Sequence, residues 1–148
     1  MDDAIILVVE DNPDHLELIL DALAARCERS RIVTAADGVE ALEYLFGRGR
    51  YAKRDARKQP RLVILDLRMK RMDGIEVLKA MRADPLTASV PVVTLSGSSD
   101  KSELDGAYRA GANSVVRKTV VFDELRVKMS RVYDFWITCN EANRHSRV

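Results

Sequence analysis

The segment Ile5 to Pro13, IILVVEDNP, decides the fold. Ile5 to Val9 is a short continuous apolar run rich in branched side chains, as suits a strand covered on both faces. Two acids follow, then Asn12, a good helix N-cap, and Pro13, suited to the first helical position. Leu16, Ile19, Leu20 and Leu23 then fall at i, i+3, i+4 and i+7, so the helix buries one stripe. A doubly covered strand running straight into an amphipathic helix is half of a parallel βαβ repeat.

The same unit recurs along the chain. Arg31 to Ala35 predicts a second strand and Val39 to Phe46 a second helix, stopped by Gly47. Leu62 to Leu65 predicts a third strand, and Asp73 to Arg82 a third helix closed by Asp84-Pro85. Pro91 to Leu95 and Asp100 to Ala110 form the fourth pair, with Gly111 as the stop. Asn113 to Val116 is a fifth strand, and Phe122 to about Thr138 a last helix with Leu125, Met129, Val132 and Trp136 on one side. Strict alternation implies an α/β fold: a doubly wound five-stranded parallel sheet with right-handed crossovers. One irregular segment interrupts it, Arg48 to Arg61, with seven basic residues and one acid. It predicts a solvated loop; a docking patch for an acidic partner or nucleic acid is the other reading.

The whole chain carries 24 basic and 23 acidic side chains among 148 residues, a net charge of +1, which excludes bulk nucleic-acid binding through the overall field. It is 47% hydrophobic and 32% charged, too apolar for a disordered chain. No apolar run approaches the ~20 residues of a membrane span. The acidic start (Asp2, Asp3) and the absence of a cleavage site predict no export signal and a cytoplasmic protein. Cys27 and Cys139 have no metal-ligand spacing and read as free thiols. His15 reads as a surface or partly buried residue, and His145 as part of a polar tail over 139–148.

In an open parallel sheet, ligands bind at the carboxyl ends of the strands. Glu10 and Asp11 stand there after the first strand, Asp66 after the third, the run Thr94 to Ser99 with Ser96 at its exit after the fourth, and Lys118 after the fifth. Three carboxylates held together repel and raise their own pKa values; a hard divalent cation such as Mg²⁺ relieves that conflict through oxygen ligands. Lys118 and Ser96 are left to hold an anion. Such a set suits phosphoryl transfer, with Asp66 as the nucleophile that becomes an aspartyl phosphate.

Four strings carry a family likeness: VVEDN (Val8 to Asn12), LVILDLRMKRMDG (Leu62 to Gly74), PVVTLSG (Pro91 to Gly97) and AGANSVVRKT (Ala110 to Thr119). Together they resemble the receiver domains of two-component response regulators, over about residues 4–134. The resemblance implies the flavodoxin-like (βα)5 fold over residues 1–138, with a lengthened loop at 47–60. It also implies phosphorylation of Asp66 by a sensor histidine kinase. Glu10, Asp11, Asp66 and the backbone carbonyl of Arg68 would hold Mg²⁺; Ser96 would be the switch hydroxyl, Lys118 the phosphate-binding lysine, and Gly97 would leave room beside the phosphoryl group. The long basic loop and the final DFWIT (Asp134 to Thr138) further resemble regulators paired with bacterial and cyanobacterial phytochromes, which implies a phytochrome kinase.

Three positions depart from the family pattern. Thr119 stands where a proline with a cis bond is usual, Val115 where a rotating Tyr or Phe is usual, and Lys70 where a proline is usual, a change expected to loosen the loop after Asp66. Three functions compete. The first is a stand-alone receiver with no DNA-binding domain that signals through altered partner contacts. The second is a phosphorylation-independent adaptor, which Val115 and Thr119 favour and the intact site opposes. The third is an aspartate-nucleophile phosphohydrolase, which needs an acid two residues after Asp66, where Arg68 stands and cannot donate as an acid.

The helix from Phe122 is expected to project past the sheet, ~25 Å of helix against ~17 Å of strand. Phe135, Trp136 and Ile137 cannot all face one core, which predicts exposed apolar surface there. The family pairs through its fourth helix, fifth strand and fifth helix. The resemblance therefore implies a two-fold homodimer on that face, with Val115 adding apolar surface and Phe135–Trp136 as anchor.

Overall fold

The computed structural model describes residues 4–142. The acidic start and His145 with the rest of 143–148 lie outside the described residues. The strands are β1 (Ile6–Val9), β2 (Ile32–Ala35), β3 (Leu62–Asp66), β4 (Val92–Ser96) and β5 (Ser114–Arg117). They pair in parallel in the order β2-β1-β3-β4-β5. The helices between and after them are α1 (Pro13–Ala24), α2 (Gly38–Phe46), α3 (Gly74–Ala83), α4 (Lys101–Ala110) and α5 (Phe122–Tyr133). This is the doubly wound flavodoxin-like arrangement, and its strand order reverses between β1 and β3.

The pleat of β1 divides the core. Leu7 and Val9 join Val63, Leu65 and Val92 under Ala41 and Leu45 of α2, Val77, Leu78 and Met81 of α3, and Ala107 of α4. Ile6 and Val8 face the other way, with Ile64, Val93 and Leu95, under Ile19 and Leu23 of α1 and Leu125, Met129 and Val132 of α5. Burying each of these larger side chains contributes about 1.5–3 kcal/mol. Local chemistry agrees with the packing. The Asn12 side chain accepts from the backbone N–H groups of Asp14 and His15, with Pro13 opening the helix. Asp73 and Glu76 form a capping box at α3. Gly47 ends α2 at φ 64°, where a side chain would be strained.

Two expectations about irregular segments are corrected. The basic segment after α2 is not simply a solvated loop. Arg54 lies over the Tyr44 ring at 4.0 Å and donates to the carbonyls of Tyr44 and Lys58, each at 2.7 Å. Gln59 donates to the Leu45 carbonyl at 2.8 Å, and a short 3-10 turn at Gly49–Tyr51 sets Tyr51 edge-on to Tyr44. These bonds satisfy the orphan carbonyls at the end of α2.

The last helix does not project past the core. After Tyr133 the helix continues as a wider π-helical turn, Asp134–Cys139, packed on the α1–α5 side of the core. Ile137 is buried, Trp136 is half-buried against that core, and Phe135 is exposed. An Arg26–Asp134 ion pair and a hydrogen bond from Arg61 to the Ile137 carbonyl (3.1 Å) hold the turn down. No helix among the described residues is long and apolar enough to cross a membrane.

Candidate functional site

The strand ends after β1, β3, β4 and β5 meet at a shallow cavity of about 290 Å³, beside the point where strand order reverses. Parallel register brings them together: Val9 pairs with Leu65, Asp66 with Leu95, and Ser96 with Arg117. The residue that follows each pairing therefore emerges at the same edge. Glu10, Asp11 and Asp66 each present a carboxylate oxygen within 4.8 Å of the others. Glu10 and Asp66 are buried and Asp11 half-buried.

Lys118 reaches across from the end of β5. Its Nζ lies 2.6 Å from Glu10 Oε1 and 3.2 Å from Asp66 Oδ2. The Lys118 N–H donates to the Ser96 carbonyl at 2.7 Å, so the ladder of β5 carries on to the lysine. Among the described residues every peptide bond is trans, that between Lys118 and Thr119 included. The Asp66 carboxyl is pushed up to about 7, first by burial and then by the hydrogen bond and negative charge of Glu10. Lys118 pulls the other way. One ammonium thus does not neutralise the carboxylates, and a divalent cation with oxygen preference fits the donors present.

The loop from Arg68 to Asp73 is fastened rather than loosened, which corrects the expectation at Lys70. The Lys70 N–H, the donor a proline would lack, binds Asp11 Oδ2 at 3.2 Å. Arg71 pairs with Asp37 at 2.8 Å, and the Arg71 carbonyl accepts from the Gly38 N–H at 3.0 Å. Met72 takes φ 58° so that the chain can turn into α3. A Cβ on Gly38 would lie 2.2 Å from the Met72 carbonyl oxygen, and one on Gly74 2.6 Å from that of Asp66. Both glycines permit close passage of the loop. Gly97 opens onto the cavity, and a Cβ there would meet nothing within 4 Å.

Ser96 is turned away from Asp66. Its Oγ lies 3.1 Å from the Ser98 carbonyl and 3.2 Å from Glu103 Oε2, and it accepts from the Ser98 N–H. The same Glu103 carboxylate takes Arg68 Nε at 3.0 Å. Val115 is half-buried against the α2–α4 side of the core, and its N–H lies 3.3 Å from the Tyr108 hydroxyl of α4. Two site neighbours escaped the sequence reading. His15 lines the cavity with a buried Nδ1 that has no hydrogen-bond partner, because the first turn of α1 lies over the acids. Its i+4 relation to Asp11 was the available signal. Glu103 sits far from every motif, and nothing in the sequence marks it.

The comparisons with known proteins agree with this geometry. A family profile described as a response regulator receiver domain matches residues 6–130. The chain is 35% identical over 141 residues to the probable methanogenesis regulatory protein FilR2 of Methanothrix harundinacea, covering 95% of this chain and 88% of that protein. Among solved structures it is similar to the phosphorylated cyanobacterial phytochrome response regulator RcpA. The TM-score is 0.84 at 32% identity, over 94% of this chain and 97% of that one. It is also similar to the bacteriophytochrome response regulator AtBRR, with a TM-score of 0.75 at 37% identity over 95% and 100% of the two chains. With a 2-1-3-4-5 parallel sheet and paired acids, lysine and hydroxyl at its strand ends, the chain belongs to the response regulator receiver domains of two-component signalling.

Proposed function

We propose that Asp66 accepts a phosphoryl group from a phosphohistidine of a sensor histidine kinase and that the chain signals by changing its contacts with partners. A carboxylate oxygen of Asp66 bonds to phosphorus as the bond from phosphorus to the imidazole nitrogen breaks, and the histidine leaves with the electron pair. Lys118, already 3.2 Å from Asp66 Oδ2, offsets charge on the transferring oxygens. Glu10, Asp11, Asp66 and the Arg68 carbonyl would hold Mg²⁺, which when bound supplies charge neutralisation and polarises the phosphoryl oxygens. The observation that carries the reading is the buried Asp66 flanked by Glu10 and Lys118. An ammonium already aimed at the acceptor speaks against an adaptor that keeps only the fold. Arg68 is engaged with Glu103 and offers no proton for a departing alcohol, which speaks against a turnover phosphohydrolase.

A phytochrome kinase is the donor favoured by the likeness to RcpA and AtBRR. A second copy of the chain is the partner favoured for the α4–β5–α5 face. Leu104, Tyr108, Val121 and Val127 are exposed there, with Val115 between the two helices. Phe135 extends the apolar surface, while the half-buried Trp136 supports it edge-on at 4.9 Å. Residues 1–138 form the receiver unit in this reading, and 139–148 a polar tail.

The test is phosphotransfer. Incubated with Mg²⁺ and acetyl phosphate or a phosphorylated histidine kinase, the wild type should gain the mass of one phosphoryl group and Asp66→Asn none, because an amide lacks the nucleophilic anion. Equal labelling of Asp66→Asn would mean the acceptor lies elsewhere.

A further inference from the structure

Glu103 stands in the first turn of α4, outside every recognised motif, yet its carboxylate engages two groups of the acceptor site at once. Ser96 Oγ lies 3.2 Å from Glu103 Oε2, and Arg68 Nε lies 3.0 Å from Glu103 Oε1, with Nη2 at 3.5 Å from Oε2. Ser96 is buried, and the Glu103 side chain is only 14% exposed. The Ser98 carbonyl, 3.1 Å from Ser96 Oγ, is a second acceptor beside Glu103; a hydroxyl carries one proton, so while it is shared between these two it is not available to an anion on Asp66. Arg68 lines the same cavity as Asp66, but its guanidinium is paired with Glu103 of α4.

The loop between β4 and α4 is knitted in the same state. The Ser98 N–H donates to Ser96 Oγ, the Asp100 N–H to Ser98 Oγ at 2.9 Å, and the Ser102 N–H to Asp100 Oδ1 at 2.9 Å. Moving Ser96 Oγ away from Glu103 therefore also breaks its two bonds to Ser98, at the start of this ladder.

We propose that Glu103 is an internal competitor of the phosphoryl group: its carboxylate holds the Ser96 hydroxyl and the Arg68 guanidinium away from Asp66, and the anion on Asp66 displaces it. Glu103 is a positioning residue, acting through Ser96 and Arg68. This rests on the reading of Asp66 as acceptor. The competition has a physical origin. A carboxylate and a phosphoryl oxygen are both anionic acceptors, and charge-assisted bonds to either are of similar strength, so a small difference decides which one holds Ser96. Because Glu103 belongs to α4, the exchange moves the helix that carries the exposed Leu104 and Tyr108.

The experiment measures beryllofluoride binding in the presence of Mg²⁺ by 19F NMR, with thermal melts to show that each variant is folded. Glu103→Gln weakens the competing acceptor and should tighten beryllofluoride binding roughly 3- to 10-fold. Glu103→Asp keeps the charge but withdraws it by one methylene from Ser96, and should tighten binding as well. Neither substitution should change affinity in a Ser96→Ala, Arg68→Ala double background, where neither the hydroxyl nor the guanidinium is left to release.

An aspartate variant that binds like the wild type, or a gain that persists when both Ser96 and Arg68 are replaced by alanine, would reduce the role of Glu103 to general charge repulsion and overturn the proposal. A change in melting temperature with unchanged binding would overturn it too, by assigning Glu103 to the dipole of α4 alone. A wild type that takes up no beryllofluoride, or as much as Asp66→Asn does, would instead sink the acceptor reading, and this proposal with it.

Discussion

At the scale of single residues, the buried Asp66 carboxyl is costly to ionise in the absence of a cation. Its pKa is raised to about 7 in the folded chain by burial and by Glu10, against about 4 in an unfolded one. A carboxyl raised in this way contributes stability that is fully present below pH ~4 and lost as pH rises through ~7. Metal-free protein should therefore lose stability across that window. Asp66→Asn should flatten the loss and be the more stable chain at pH 7.5, and Mg²⁺ should restore the wild type by mass action. Urea midpoints measured in chelator at several pH values check this; parallel curves for the two chains would contradict it. Asp37 is shifted in the opposite direction, held below the usual carboxylate range mainly by its hydrogen bond to Arg71. Since Arg71 is largely exposed, that pair contributes little.

At the scale of elements, the joints matter more than the elements themselves. Arg82, near the end of α3, donates to the carbonyls of Gly111 (2.9 Å), Ala88 (3.0 Å) and Val90 (2.8 Å) and to Asn113 Oδ1 (3.0 Å). One half-buried guanidinium thus ties α3, the approach to β4 and the turn from α4 into β5. Asn113 Oδ1 also accepts from the Val92 N–H at 2.8 Å, which starts β4 at its proper register. Arg82→Ala strands several buried carbonyls and should cost about 2–4 kcal/mol, read as a lower denaturant midpoint with an unchanged slope. Gly74→Ala should act at the other end of α3. Its Cβ would press on the Asp66 carbonyl, shifting the acceptor loop at a cost of about 1–3 kcal/mol and slowing phosphoryl uptake. Wild-type stability and uptake in Gly74→Ala would show that the loop yields freely.

At the scale of the whole molecule, the α1–α5 face of the sheet and its β5 edge differ in how they are covered. The α1–α5 side is closed by the π-helical turn with Ile137 buried beneath it, so Trp136→Ala should destabilise the fold as well as any assembly. The α4–β5–α5 side is left apolar and open. Tyr108→Ala and Val127→Asp, both at exposed positions, should therefore shift the protein toward monomer in sedimentation velocity while leaving its melt nearly unchanged. A wild type that stays monomeric at high concentration, with or without beryllofluoride, would refute pairing through this face.

The order of elements was legible because it rests on local physics. Ile5 to Val9 reads as a doubly covered strand from its lack of alternation, and Asn12-Pro13 as a helix start from capping alone. Glu10, Asp11, Asp66, Ser96 and Lys118 were legible as one site because a parallel sheet brings every strand's carboxyl end to one edge. Most of the basic segment is solvated as its charge implied, but the place of Arg54 was not legible, since it is set only by meeting Tyr44 and the end of α2. The fate of Phe135, Trp136 and Ile137 turned on a π-helical widening that no 3.6-residue periodicity foretells. The sequence by itself determined which groups gather at the strand ends and where along the chain they stand. Which way Ser96 points, and that Glu103 holds both it and Arg68, was decided only by the tertiary structure. Those contacts join residues 7 and 35 positions apart, and such a pairing exists only once α4 has docked on the sheet.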